Sequence, residues 1–124
     1  MSHQTNVLGT PLQPCCKEPA TGYLRDGYCA ACPGDHGQHT ICAVVTPDFL
    51  EFSRSQGNDL ITPRPEFDFP GLVSGSRWCL CVARWIEAHK AGCAPPVHLE
   101  STHLSVLEFV DQETLREFAI DSGG

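Results

Sequence analysis

Short apolar runs alternate along the chain with stretches that are broken by glycine and proline. Residues 1–40 show no sustained period of 2 or 3.6, so we expect an irregular, turn-rich segment there. The run at 40–46 is apolar and rich in β-branched residues, which predicts a central strand. Because successive strand side chains point to opposite faces, Cys42 and Val44 would share one face of this strand.

The middle of the chain predicts two helices and a second strand. Thr46 before Pro47 is typical of a helix start and Gly57 of a helix stop, which predicts a helix over about 47–56. Residues 58–76 include three prolines, which lack a backbone donor, so we expect a long loop. Residues 78–82 predict a second buried strand, and residues 84–91 predict a helix ended by Gly92.

The last part of the chain predicts shorter elements. We expect a strand at 97–100, a helical turn capped by Ser101 or Thr102, a strand at 107–110 and a helix from Asp111 to about residue 120. The whole pattern indicates an α+β fold: one small domain over residues 1–124, with a mostly antiparallel sheet, two or three short helices and long loops rich in proline and glycine. Residues 1–10 and 121–124 are expected to be flexible ends.

The charge and the apolar runs exclude two classes of partner. A formal net charge of −7 repels polyphosphate, so we expect no nucleic-acid binding. No apolar run approaches the roughly 20 residues that cross a bilayer, so we expect no membrane partner. The first residues do not resemble a signal peptide, which predicts a cytoplasmic protein whose thiols are mostly reduced. Reduced thiols favour metal binding, redox chemistry or inert burial over permanent disulfides.

A dense group of soft ligands lies between residues 29 and 42. The order is C-x2-C-x3-H-x2-H-x2-C, with the members Cys29, Cys32, His36, His39 and Cys42. Tetrahedral zinc needs four such ligands, and a tight turn after C-x2-C lets two sulfurs converge on one ion. One C-x2-C is half of the usual signal, however. The alternative is that the histidines are solvated and Cys42 is a core thiol.

A second group is formed by Cys79 and Cys81, which would lie on one face of the second strand. Their Cα atoms would be roughly 6.6–6.8 Å apart, at the outer edge of what a disulfide permits. If this strand pairs with the Cys42 strand, three thiols line one surface with His39 at its entrance. The alternative is a sulfur-rich core layer. The adjacent Cys15 and Cys16 are interpreted as loop thiols.

Several strings spread over the chain carry a resemblance to a known family. They are GYLRDGYC at 22–29, HTICA at 39–43, GNDL at 57–60, FPGL at 69–72, WCLC at 78–81, RW at 84–85, APPV at 94–97 and TH at 102–103. With them, the sequence resembles domain-of-unknown-function family 2237, which consists of small bacterial proteins. The resemblance extends from Asn6 to about Ala119 and implies no activity. It favours a site assembled from distant residues over the local C-x2-C, namely Cys29, His39, Cys42, Cys79 and Cys81.

Three functions remain open from the sequence. The first, which we prefer, is a cytosolic metal-binding or thiol-redox protein that uses those five residues, with zinc as a possible metal. The second is a small enzyme with one cysteine nucleophile and His39 or His103 as its base. The third is a protein-interaction module whose sulfur-rich interior is only packing. Motifs for nucleotide binding and for common hydrolases do not occur, and the identity of a small-molecule or protein partner is left open.

Overall fold

The computed structural model describes residues 4–15, 21, 27–32, 34–35, 38–67 and 71–120. Within these ranges the regular elements are two strands and three α-helices: β1 (His39–Val44), α1 (Pro47–Ser55), β2 (Arg77–Cys81), α2 (Val82–Lys90) and α3 (Gln112–Glu117). Three 3-10 turns, Pro65–Phe67, Leu99–Ser101 and Leu104–Glu108, lie in the connections. The predicted α+β class, the short helices and the long loops are confirmed.

The sheet is antiparallel and consists of β1 and β2 in the described part of the chain. Cys42 lies opposite Cys79, and His39 lies opposite Cys81, with a bulge between His39 and Ile41. Since directly opposed residues point to the same side of a sheet, these four side chains belong to one face. We call it the sulfur face.

The opposite face of the sheet carries the main hydrophobic core. Ile41, Trp78 and Leu80 pack there with apolar residues of α1, α2 and the C-terminal segments. The centre is Trp85 of α2, which is fully buried and donates its Nε1–H to the carbonyl of Pro95 at 3.1 Å. Burial of such side chains is the main stabilising contribution to the fold, at about 1.5–3 kcal/mol for each large one.

The helices α1 and α2 form where the sequence predicts them. Thr46 caps α1 by accepting a hydrogen bond from the backbone N–H of Phe49 at 3.1 Å, and Pro47 occupies the first turn. At the end of α2, Gly92 has φ of +80°. A left-handed residue just beyond a helix is the position that favours glycine, because other residues have a Cβ that crowds the backbone there.

The predicted strands at 97–100 and 107–110 are wrong. Val97 makes only isolated bridges to Ala43 and to Ala119, and the chain then turns into the 3-10 helix Leu99–Ser101. Residues 104–108 form another 3-10 helix, which is capped by His103 rather than by Ser101 or Thr102. In the second segment Val106 and Val110 are buried whereas Phe109 is exposed, so burial does not follow the period of two that a strand requires.

The final helix α3 ends earlier than predicted, at Glu117. The reason is that the residues after Glu117 are hydrogen-bonded to Val97. The backbone N–H of Ile120 donates to the carbonyl of Val97 at 2.9 Å, and the N–H of Val97 donates to the carbonyl of Phe118 at 2.8 Å. This exchange of hydrogen bonds takes residues 118–120 out of the helix and lays them beside Val97.

The N-terminal segment packs against the domain from Gln4 onward. The fully buried Asn6 donates from Nδ2 to the carbonyl of Glu100 at 3.0 Å and accepts from the N–H of Leu8 at 2.9 Å. Residues 1–3 and 121–124 lie outside the described residues, and the flexibility of the two ends stays a prediction.

The long connection between α1 and β2 contains one 3-10 turn in its described part. Asp59 is a turn residue near the start of this connection. Its Oδ1 accepts hydrogen bonds from the backbone N–H groups of Ile61 at 2.9 Å and Thr62 at 3.1 Å. Hydrogen bonds from the Thr62 side chain and then from these backbone groups hold the pKa of the Asp59 carboxyl below its usual range.

In the part of the chain that is described, none of the helices has the length and apolar character needed to span a membrane.

Candidate functional site: a four-cysteine cluster

Four cysteines meet on the sulfur face of the sheet. Cys42 and Cys79 come from the two strands, whereas Cys15 and Cys29 come from the irregular N-terminal region. All four are buried, with 0–3% of their surface exposed. Disulfides join Cys15 to Cys42 and Cys29 to Cys79, with Cα–Cα distances of 5.6 and 5.2 Å. We call these residues the four-cysteine cluster.

This arrangement corrects two expectations from the sequence. The thiols of the cluster are oxidised in this structure and not reduced, and Cys15 is a buried disulfide partner rather than a loop thiol. The physical reason is tertiary: the loops that contain Cys15 and Cys29 fold over β1 and β2 and bring their Cα atoms within disulfide range. The sequence separations of 27 and 50 residues carry no local signal of this approach.

The two disulfides lie against each other. The sulfur atoms of Cys15, Cys29 and Cys79 are all within 4.8 Å of one another, and Cys42 is bonded to Cys15. Four sulfurs therefore occupy one small volume. Such proximity allows exchange of partners within the cluster after one disulfide has been reduced, because the thiolate that is formed attacks a disulfide sulfur at close range. In the fully reduced form it would also allow several sulfurs to bind one ion.

Two buried threonines hold the backbone behind the cluster. Thr21 accepts a hydrogen bond from the N–H of Cys79 at 2.8 Å, and Thr102 accepts one from the N–H of Cys42 at 3.1 Å. The Thr102 hydroxyl donates in turn to the carbonyl of His98 at 2.9 Å. Both threonines are fully buried, so these bonds satisfy backbone donors that water does not reach.

The other two predicted site residues, His39 and Cys81, lie at the end of the same face. They are opposite each other on β1 and β2, and both are partly exposed. His39 Nδ1 is 2.7 Å from Asp35 Oδ1, and Asp35 Oδ2 accepts the backbone N–H of His39 at 2.7 Å. The sulfur atoms of Cys29, Cys42 and Cys79 are thus gathered in the cluster, while His39 and Cys81 form a separate pair. A ligand role for the five residues stays a prediction.

The remaining cysteines do not join the cluster within the described residues. The Cys32 thiol donates to the carbonyl of Ala30 at 3.7 Å, so the C-x2-C pair is split between a buried disulfide and a thiol. Cys93 follows α2, and burial, with a smaller contribution from the charge of Asp48, raises the pKa of its thiol. The sequence-predicted Cys16 and His36 lie outside the described residues.

His103, the alternative base, has a structural role here. Its Nδ1 accepts from the backbone N–H of Ser105 at 2.9 Å and thereby caps the 3-10 helix Leu104–Glu108. Burial lowers the pKa of its imidazole. A ring nitrogen that is occupied by a cap is less suited to take a proton from a thiol.

Sequence reasoning missed two residues of this region. The adjacent positions of Cys15 and Cys16 make a bond between these two unfavourable, but each remains able to bond to a distant cysteine. Asp35 lies four residues before His39 and outside the helices, where this spacing does not by itself predict a carboxylate–imidazole pair. Its side chain is only 1% exposed, which marks it as a partnered, buried acid.

The fold and the site define a small α+β protein with a buried cluster of four cysteines. Residues 5–119 match the family described as an uncharacterized protein conserved in bacteria, domain-of-unknown-function family 2237. The chain therefore belongs to this family, as its resemblance predicted. No curated protein matches the chain.

Proposed function

We propose that the chain is a thiol-redox protein whose four-cysteine cluster cycles between two disulfides and four thiols. The single observation that supports this is the convergence of the sulfurs of Cys15, Cys29 and Cys79 within 4.8 Å, with Cys42 bonded to Cys15. Once an external thiol has reduced one of two adjacent disulfides, the thiolate that is formed can attack the other, so the pair can be reduced as a unit; disulfides with a purely structural role need no such proximity.

The apolar core favours a cycle that keeps the fold. The main core lies on the opposite face of the sheet and contains no member of the cluster. Reduction would thus release the loops that contain Cys15 and Cys29 while the packing around Trp85 remains. A domain of this size does not need disulfides to have a stable core.

The redox step requires an external dithiol as the reductant. Each disulfide takes two electrons and two protons, and the dithiol that supplies them becomes a disulfide itself. Full reduction of the cluster consumes four electrons and gives four thiols. The burial of all four sulfurs means that the loops over the sheet must open locally before an external thiol attacks.

A redox titration tests this proposal. The full chain is equilibrated in buffers that contain different ratios of reduced to oxidised dithiothreitol. Free thiols are then alkylated with N-ethylmaleimide, and mass spectrometry identifies the alkylated cysteines. Circular dichroism shows whether the fold is retained. We expect the four cysteines to titrate together, reversibly and above about −300 mV, with the fold retained. Reduction that requires a lower potential, or that unfolds the protein, would show that the disulfides are structural and would favour the interaction module. The variant C93S, which leaves the cluster intact, is the control.

Zinc binding by the reduced cluster is a second candidate, and the same sulfur spacing favours it. Tetrahedral zinc holds sulfurs at about 2.3 Å, which places neighbouring sulfurs roughly 4 Å apart. We expect the reduced chain to take up one zinc ion for each chain and the variant C42S to bind it more weakly. Absence of bound zinc after reduction rejects this candidate and leaves the redox proposal intact.

A further inference from the structure

A buried carboxylate fixes the orientation of a partly exposed imidazole at the open end of the sulfur face. The Asp35 side chain is 1% exposed, and that of His39 is 41% exposed. Asp35 contacts His39 twice, through the ring Nδ1 and through the backbone N–H, each at 2.7 Å. A carboxylate at Nδ1 places the hydrogen on that nitrogen in the neutral ring, which leaves a lone pair on Nε2. Among the described residues, no hydrogen bond engages Nε2.

Cys81 stands across the sheet from this imidazole. The two residues are strand partners, and the N–H of Val82 donates to the carbonyl of Gln38 at 3.2 Å beside them. Because this hydrogen bond joins the neighbours of His39 and Cys81, these two residues are a non-hydrogen-bonded pair of the antiparallel ladder. In such pairs the opposing Cα atoms are about 4.5 Å apart and the side chains are near neighbours. Cys81 is partly exposed, is a thiol in this structure and makes no side-chain cap bond to α2.

Cys81 is also the N-cap residue of α2, a nine-residue helix. The first backbone N–H groups of a helix have no partner within the helix, so they can donate hydrogen bonds to an anion that approaches the Cys81 sulfur. This feature adds to the strand pairing with His39 and does not replace it. Cys81, His39 and Asp35 are therefore neighbours at this end of the sheet. Their side chains are of the types that serve as a nucleophile, a base and a residue that orients the base.

We propose that Cys81, His39 and Asp35 form a reactive cysteine site that exchanges with disulfides of small amine-bearing thiols. His39 Nε2 accepts the thiol proton, and the Cys81 thiolate attacks one sulfur of the external disulfide. A mixed disulfide forms at Cys81, the bond within the external disulfide breaks, and the leaving thiolate takes the proton from His39. The step needs no other reactant and no participation of the four-cysteine cluster. Cys81 is the nucleophile, His39 the base and Asp35 a positioning residue.

The surroundings favour a small cationic disulfide as the substrate. A cavity of about 380 Å³ next to this pair is lined by Asp35, Gln38, Thr40, Glu108 and Cys32, and neither His39 nor Cys81 is among its lining residues. The Glu108 carboxylate in this neighbouring cavity and the net charge of −7 attract an ammonium group, whereas the Asp35 carboxylate is buried and bonded to His39. Disulfide exchange suits a partly exposed thiol, because it requires access to the sulfur and no binding site for an oxyanion.

The test measures mixed-disulfide formation with cystamine at pH 7, resolved for each cysteine by peptide mass spectrometry of the full chain. We expect Cys81 to react at least about tenfold faster than Cys93, whose burial raises the pKa of its thiol. The variants H39Q and D35N should slow Cys81 about tenfold and leave Cys93 unchanged, and D35E should restore part of the rate.

Two outcomes would overturn the proposal. One is that Cys81 reacts no faster than Cys93. The other is that H39Q leaves the Cys81 rate unchanged while circular dichroism shows a native fold. If D35N does not fold, H39Q carries the test, because it keeps the buried carboxylate and its bond to the backbone N–H at residue 39. Since the rate is read at Cys81 alone, failure here is distinct from failure of the redox titration of the cluster.

Discussion

Cys42 and Cys79 lie directly opposite each other on neighbouring strands, yet each forms its disulfide with a cysteine from the N-terminal region. The two strands are held together by backbone hydrogen bonds and by the core behind them. The disulfides therefore have a different effect, which is to fasten two irregular segments onto the sulfur face of the sheet. The disulfides therefore add to the stability of the oxidised chain but are not what pairs the two strands.

Removal of either disulfide should destabilise the oxidised protein. The effect should be larger for Cys29–Cys79, which closes the longer loop. Chain-entropy estimates for loops of 27 and 50 residues are about 3.5 and 4 kcal/mol, within the usual range of 2–5 kcal/mol. We expect C15S/C42S and C29S/C79S to lower the free energy of unfolding by amounts in this range, as measured by urea denaturation. C93S is the matched control and should change it by less than about 1 kcal/mol. Double variants that are as stable as the wild type would contradict these pairings.

Loss of the Thr102 hydroxyl should leave the N–H of Cys42 without a partner. The variant T102V keeps the shape but removes the acceptor, and a buried unsatisfied donor costs about 1–3 kcal/mol. T102S keeps the hydroxyl and should recover most of the difference. Urea denaturation of both oxidised variants measures it. Equal stability of T102V and T102S would show that this hydrogen bond does not stabilise the strand.

The two glycines of the loop before β2 should respond differently to alanine. Gly71 and Gly75 both have positive φ, +82° and +91°, so both substitutions carry a backbone cost of about 1–2 kcal/mol. At Gly71 an added Cβ also collides with the carbonyl oxygen of Ile61, whereas at Gly75 it meets open space. We expect G71A to be less stable than G75A by roughly 1–3 kcal/mol. Thermal unfolding of both variants checks this, and equal melting temperatures would rule it out.

Protonation of His103 should weaken the fold in mildly acidic solution. Burial lowers the pKa of this imidazole in the folded state, so the unfolded chain binds the proton more tightly. The stability contribution of the neutral ring is complete above the unfolded pKa of about 6.5 and is lost as the pH falls below it. Protonation also removes the Nδ1 acceptor that caps residues 104–108.

The variant H103N isolates this contribution, because asparagine also caps helices but does not titrate. Urea unfolding at pH 7.5 and at pH 5 should show a smaller loss of stability in H103N than in the wild type. An equal loss in both proteins would assign the pH dependence to other groups.

The elements that the sequence predicted well are those whose signals are local. The helix α1 follows from the Thr46–Pro47 start and its apolar side, and both strands follow from short, β-branched or aromatic runs between turn residues. The end of α2 follows from Gly92. In each case a few neighbouring residues determine the backbone conformation.

The elements that the sequence did not predict depend on distant contacts. Val97 reads as part of a strand, but its partners are Ala43 and Ala119, which lie more than 20 residues away on either side. The pairing of Cys15 with Cys42 is also decided by how a loop folds over the sheet. The juxtaposition of His39 and Cys81 could be anticipated only once the two strands were assumed to pair.

The most direct test of the central claim is to map the disulfide partners in the native oxidised chain. The protein is trapped with N-ethylmaleimide, digested without reduction and analysed by mass spectrometry. We expect linked peptides for Cys15 with Cys42 and for Cys29 with Cys79, and both links should disappear after treatment with a dithiol and return on reoxidation. Alkylation of these four cysteines in the oxidised protein, or a link between Cys29 and Cys32 instead, would contradict the account.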